Sequence, residues 1–218
     1  MEPRTQAHVA LITVGRVREV GWNDRTVRTG IWKAPADGPV RVSQFGAEGD
    51  EQGDPDAHGG LDKALYAYGE GDLAWWSEQL GRELEPGVLG HNLAIAGMDV
   101  SSAVIGERWR AGGIAVQVSA PRIPCFKLGM RMGDQGFPRR FAAADRPGAY
   151  LRVLEPGVIE AGDPVEVLER PAHGVTVADA SRIYHRDRHE AGRLAEVPAL
   201  SGYLAAWAAE RAAGQPSL

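Results

Sequence analysis

Residues 149–170, AYLRVLEPGVIEAGDPVEVLER, decide the fold class. The stretch is apolar in short runs and is cut twice, at EPG and at AGD. Glycine and proline placed in this way end an extended segment and reverse the chain, so the stretch predicts three strands joined by tight turns. Upstream, AVIGERWRAGGIAVQV (103–118) has the same strand–turn–strand texture. The resemblance between the two is one of hairpin style and does not amount to a repeat.

Working outward, HVALITVG (8–15) predicts a first strand and KALYAYG (63–69), apolar and aromatic, an inner one. In GPVRVSQFG (38–46) Val40 and Val42 alternate with polar residues, and in GIAVQVSA (113–120) Ile114, Val116 and Val118 share one face. One helix interrupts: EGDLAWWSEQLG (70–81) spaces Leu73, Trp76 and Leu80 on one side, with Gly81 as a stop and the tryptophans as packing residues. After ERPAHG the chain becomes alanine-rich, with Thr176 and Asp179 forming a capping pair, Ser201 ahead of Leu204 and Trp207, and Pro198 between the last two helical pieces. The expected fold class is therefore mainly β with α. The expected division is a β domain over 1–170 and a C-terminal helical appendage over 171–218.

Composition excludes several classes. A net charge of −5 argues against a protein that coats nucleic acid. No apolar run approaches the roughly 20 residues that span a bilayer, and the N-terminus lacks a secretory pattern, so a cytoplasmic location is expected. A single cysteine rules out an internal disulfide and a cysteine-built zinc site. His185 and His189 are spaced i, i+4 without the glutamate of a metalloprotease helix; no phosphate-cradling glycine loop, dinucleotide fingerprint or nucleophile elbow is present.

Four segments carry chemistry. The first, SAPRIPCFKLG (119–129), holds the lone thiol. Pro121 and Pro124 stiffen the loop, and Arg122 and Lys127 bring positive charge that favours a thiolate at Cys125. Such a thiolate suits a nucleophile, a sulfur carrier or a soft-metal ligand. In DAHGGLDKALYAYG (56–69), Gly59 and Gly60 allow a sharp turn or a close backbone approach beside His58 and Lys63, and Asp62 either orients His58 or pairs with Lys63. In PGVLGHNLAIAG (86–97), Asn92 serves a local turn or a ligand's polar edge, with His91 a candidate beside it. In RRFAAADRPGAYLRVLEPG (139–157), Arg139 and Arg140 read as surface charge, while Arg146 leads into a strand through a stiff Pro-Gly.

Taken in order, TGIWKAPADGPVRVSQFGAEGDEQGD (29–54), HGGLDKALYAY (58–68), PGVLGHNL (86–93), VSAPRIPCFKL (118–128) and YLRVLEPGVIEAGDPVEVLERP (150–171) resemble the MOSC family, named for the C-terminal domain of molybdenum cofactor sulfurase, in its YiiM-like branch. The resemblance implies a MOSC-type β-barrel with a small C-terminal helical domain. It implies binding of the molybdenum cofactor (molybdopterin), with Cys125 as the metal ligand and catalytic sulfur, and reduction of N-hydroxylated compounds such as hydroxylaminopurines. On that reading Lys63, Arg122 and Arg146 hold the cofactor's anionic groups, and His58, Asn92, His91 and the Gly59–Gly60 backbone contact its edge. Tyr150 also lines the cofactor. His58, Asp62 and Tyr150 are the candidate proton donors. The chain departs from the family pattern at GHN (90–92), where Gly-Glu-Asn is usual, and at ADR (144–146), where Ser-Gly-Arg is usual. It carries no flavin, haem or iron–sulfur signature, so a separate electron-donor reductase is implied as partner, beside a small N-hydroxylated substrate. A homodimer is compatible with the sequence. Two other readings stand beside the reductase: a sulfur carrier with a persulfide on Cys125, and a non-catalytic cofactor-binding module.

Overall fold

The computed structural model describes residues 6–53 and 60–214. His58 and Gly59 lie outside the described residues. Among the described residues, thirteen strands run in chain order as β1 (His8–Val14), β2 (Arg18–Trp22), β3 (Arg25–Thr29), β4 (Ala34–Pro35), β5 (Val40–Ser43), β6 (Gly46–Ala47), β7 (Leu65–Gly69), β8 (Leu93–Ala96), β9 (Arg108–Ala111), β10 (Ile114–Pro121), β11 (Ala149–Glu155), β12 (Gly157–Ile159) and β13 (Val165–Glu169). The helices are α1 (Glu70–Leu80), α2 (Phe126–Met132), α3 (Phe137–Ala143), α4 (Val177–His185), α5 (Ala191–Ala195) and α6 (Gly202–Ala212).

Eight strands form one sheet in the order β13-β9-β10-β11-β7-β8-β1-β4. All pairs are antiparallel except β7 with β8, which run parallel across the α1 crossover. The closed barrel expected from the family resemblance does not form as a continuous ladder. The β1 end meets the far flank through an isolated bridge between His8 and Pro164, with Val9 N–H donating to Asp163 O at 2.8 Å, Gly162 N–H to Val9 O at 2.7 Å and Val165 N–H to Ala7 O at 2.8 Å. The three strands expected from 149–170 form as β11, β12 and β13, but β12 leaves the main sheet and pairs with β5. The sequence reading did not anticipate the β2–β3 hairpin, which turns on Asn23 and Asp24 at φ 47° and 60°.

The all-buried pattern of β7 matches its apolar sequence. β10 departs from its expected alternation. Every residue in it but Gln117 is buried. It is a central strand between β9 and β11, and α4 covers a face that alternation would leave wet. On the other side of β7, Trp76 of α1, Leu128 of α2, and Phe137 and Phe141 of α3 pack with Tyr66 and Tyr68 in a second apolar cluster.

The tail is helical as expected. Thr176 and Asp179 form a full capping box at the start of α4. The apolar core, however, runs across position 171 without a break: Val177, Ile183, Leu194, Leu204 and Trp207 join Leu65, Val116 and Leu151 in one cluster. Ser201 N–H donates to Ser119 O at 2.9 Å, which ties the start of α6 to β10.

Candidate functional site

Cys125 sits where β10 ends and α2 begins, half-buried, with an extended backbone (φ −127°, ψ 177°). The reading of 119–129 expected a loop there; a short helix follows the thiol at once. It packs against α3 so closely that a Cβ on Gly129 would lie 3.2 Å from Pro138 Cδ, and the turn between the two helices would meet it at 2.9 Å through Asp134 O.

On one side of the thiol opens a cleft of about 100 Å³. Lys33, Lys63, Arg122 and Lys127 bring positive charge to its wall, and Asp50 and Glu51 bring negative charge. Arg122 is only 6% exposed and stands behind Cys125. Its guanidinium donates to Leu89 O and lies 5.1 Å from the Tyr66 ring centroid. Burial works against its charge, but Tyr66, Tyr150 and Cys125 outweigh that penalty and hold its pKa above the ordinary arginine value. Gly90 makes room for it. At φ +75°, a Cβ there would meet Ile31 Cγ1 at 2.9 Å and Arg122 Nη1 at 3.5 Å.

The sequence reading missed one centre of the cleft. Lys33 forms an almost fully buried ion pair with Asp50. Burial pushes the Lys33 ammonium below its usual value, Asp50 opposes that, and Arg122 adds to the lowering. The same carboxylate accepts Gly15 N–H at 2.8 Å and the Asn92 side-chain amide at 2.9 Å. Asn92 Oδ1 in turn accepts Tyr66 N–H at 3.1 Å. Asn92 therefore lines the cleft but uses its amide to knit β7 to the loop at 50, a longer reach than the local turn considered from sequence. Both Lys33 and Asp50 lie in the 29–54 stretch that carried part of the family resemblance.

Lys63 stands at the rim, its Nζ 5.8 Å from the Tyr150 ring centroid and 5.7 Å from that of Tyr203. Burial lowers its pKa against the pull of Asp62. Tyr150 lines the same wall, and burial raises its phenol pKa. Gly60 precedes the short 3-10 turn Leu61–Lys63 at φ +87°.

Three expected site residues do not line the cleft. Arg146 pairs with Asp72 and lies over Trp75 at 4.8 Å, bound to α1 rather than to the cleft wall. Asp72 is buried, and its burial makes it the stronger claimant on that guanidinium. His91 is fully buried behind the cleft, stacked on Tyr68 with ring centroids 6.0 Å apart, and neither ring nitrogen has a protein partner. Burial, with Arg122 and Lys33 adding to it, depresses its pKa to about 3, so it is neutral. Asp62 accepts from Arg152 Nε at 2.9 Å and from Gly202 N–H at 2.9 Å. Burial would raise its pKa, but Gly202, Arg152 and Lys63 together bring it below the usual carboxylate value, which suits an anchor and not a proton donor.

On the other side of Cys125 lies a larger chamber of about 390 Å³. It shares Lys63, Cys125 and Tyr150 with the cationic cleft. Among the described residues, no group of three or more His, Cys, Asp and Glu side chains is arranged to hold a metal, and no helix is long and apolar enough to cross a membrane.

Comparison with known proteins places these features in a lineage. The model of the MOSC domain family matches residues 54–166. The uncharacterized protein YflK of Bacillus subtilis (strain 168) is 35% identical over 179 residues, covering 82% of this chain and 81% of YflK. Protein YiiM of Escherichia coli (strain K12) is 32% identical over 156 residues, covering 70% of this chain and 69% of YiiM. A protein of Gibberella moniliformis (strain M3125 / FGSC 7600) named "Reductase" is 31% identical over 189 residues, which is 85% of this chain and 33% of that protein. The crystal structure of YiiM from Geobacillus stearothermophilus superposes with a TM-score of 0.79 at 31% identity, covering 94% of this chain and 98% of that one.

Proposed function

Since the chain belongs to the MOSC family, in its YiiM-like branch, we propose that it is a molybdenum-cofactor-dependent reductase of N-hydroxylated compounds in which Cys125 ligates the metal. The observation that carries the reading is the position of Cys125, half-buried but lining both a cationic cleft and a second chamber, with Arg122 and Lys63 beside it. The homologous segment of a protein named "Reductase" supports the reaction type.

The donor set fits the group. Arg122, Lys63 and Lys127 suit the cofactor's anionic groups, and a thiolate is a soft ligand matched to a metal already bound to sulfur. When bound, the cofactor supplies the two-electron chemistry. The chain's own residues do the rest. Arg122 lies in electrostatic contact with Cys125 and suits it as an anionic ligand. The Lys33–Asp50–Asn92 set keeps the floor of the cleft rigid. Lys63 Nζ, with its lowered pKa, and Tyr150 Oη are the proton donors in the wall. The net reaction breaks the N–O bond: R–NHOH, two electrons and two protons give R–NH2 and water. The electrons come from a separate reductase partner.

The test is elemental analysis of protein expressed with added molybdate, wild type beside Cys125→Ala, followed by reduction of N-phenylhydroxylamine with a reduced viologen dye. Near-equal molybdenum and protein in the wild type, lost in the variant together with turnover, is the expected result. Metal-free wild type carrying cyanide-releasable sulfur would replace this reading with sulfur transfer. Loaded protein that reduces no N-hydroxylated compound would replace it with a cofactor-binding module.

A further inference from the structure

The family match ends at residue 166, yet the wall of the second chamber is completed by residues beyond it: Ser201, Tyr203 and Leu204 at the start of α6. The opposite wall is Ala120, Pro121, Ile123 and Pro124, from the end of β10 and the loop before the thiol. The two chambers that meet at Cys125 thus differ in kind. Among the described residues, one carries four cationic side chains beside Asp50 and Glu51; the other is mostly apolar and aromatic, with Lys63 the one Lys, Arg, Asp or Glu in its wall. Its volume of about 390 Å³ falls in the range of small-molecule sites.

Tyr203 is the unusual member. Its side chain is 58% exposed, yet it is held in place. The hydroxyl pairs with that of Tyr184 at 2.8 Å, and Tyr184 is itself packed on Trp207 at 4.8 Å between centroids. A ring fixed through its hydroxyl and still largely exposed, with the Lys63 ammonium 5.7 Å from its centroid, offers its remaining surface as a stacking platform, since an apolar face gains most when another flat group covers it. Asp62 locks the platform to the site by accepting Gly202 N–H at 2.9 Å, immediately before Tyr203.

We infer that this chamber binds the aromatic body of the substrate, and that Tyr203 is a specificity-determining residue contributed by the C-terminal helical segment. The inference rests on the reductase reading for the direction in which the substrate points: its N–OH end lies at Cys125 and its ring against Tyr203. The cationic cleft is left to the anionic cofactor, so the two ligands do not compete for one wall.

Two measurements test it. In the loaded enzyme, the ratio of kcat/KM for N-phenylhydroxylamine to that for N-methylhydroxylamine is compared between wild type, Tyr203→Phe and Tyr203→Ala. Removing the ring is expected to lower the ratio about tenfold, through KM, while the phenylalanine variant keeps most of it. An unchanged ratio overturns the inference and leaves the reductase reading intact. Calorimetric titration with aniline needs no turnover: binding to wild type weakened about tenfold in Tyr203→Ala supports the chamber even where neither substrate is reduced, and equal binding overturns it. Loss of molybdenum from Tyr203→Ala also overturns it, because the chamber would then hold the cofactor.

Discussion

Asp50 Oδ2 receives the Asn92 amide at 2.9 Å while Asp50 Oδ1 pairs with the buried Lys33 ammonium. One carboxylate thereby joins the loop after β6 to the start of β8 and neutralises a lysine that is almost wholly removed from water. Asp50→Ala strands that charge. Breaking one side of a buried pair costs about 3–5 kcal/mol, so a large fall in denaturant midpoint is expected. The double variant Asp50→Ala/Lys33→Met should recover part of the loss. A single variant as stable as the wild type would show that Lys33 reaches water.

His91 makes the fold acid-sensitive. Its folded pKa is about 3, against 6.5 for an unperturbed imidazole. Between those values the unfolded chain binds a proton that the folded chain refuses. Stability therefore rises with pH from about 3 to about 6.5 and is lost as pH falls through that window. The slope from this residue is up to about 1.4 kcal/mol per pH unit. Urea melts at pH 7, 5 and 4 check it: the acid loss should be smaller in His91→Leu than in the wild type.

Gly90→Ala introduces both strain at φ +75° and a contact of 2.9 Å with Ile31. A cost of about 1–3 kcal/mol is expected in chemical melts. The new methyl also lies 3.5 Å from Arg122 Nη1, so loading with molybdenum should fall further than stability alone accounts for.

Asp62→Asn separates an anchor from a proton donor. Loss of a proton donor typically costs about 10²-fold or more in rate. An anchor predicts a lower melting temperature, from weakened ties to Arg152 and Gly202, with activity per folded molecule well short of such a fall. The stability that Asp62 contributes is present above the ordinary aspartate range. It is lost as pH falls through its lowered folded pKa, so the melting difference between wild type and variant should shrink in acid.

Thr176→Ala tests the hold of the C-terminal segment on the sheet. The variant removes the side-chain acceptor for Asp179 N–H, now at 3.0 Å, and should cost about 1 kcal/mol by thermal melt.

Local chemistry was readable from residue order. Glycine stops, a capping box, an apolar inner strand and a proline-stiffened cysteine each depend on near neighbours, and Gly81, Thr176, β7 and Cys125 appear where their sequences place them. The helices α2 and α3 were not legible, because α2 carries a glycine in its middle and α3 a proline at its start, and both are held by contact with each other. The hairpin of β2 and β3 left a weak signal in Asn23-Asp24.

The sequence by itself determined the family, the mixed strand-and-helix texture, the place of the one thiol and the cations closest to it along the chain. Only the tertiary structure decided which charges face that thiol. Arg146 is drawn to Asp72, 74 residues away in sequence, and His91 is sealed behind the cleft; Lys33 reaches its edge through Asp50, and Tyr203 arrives from the far end of the chain. The reason is that a charge settles beside the strongest partner the fold brings within reach, and such partners come from strands and helices distant in sequence, so no local pattern encodes the choice.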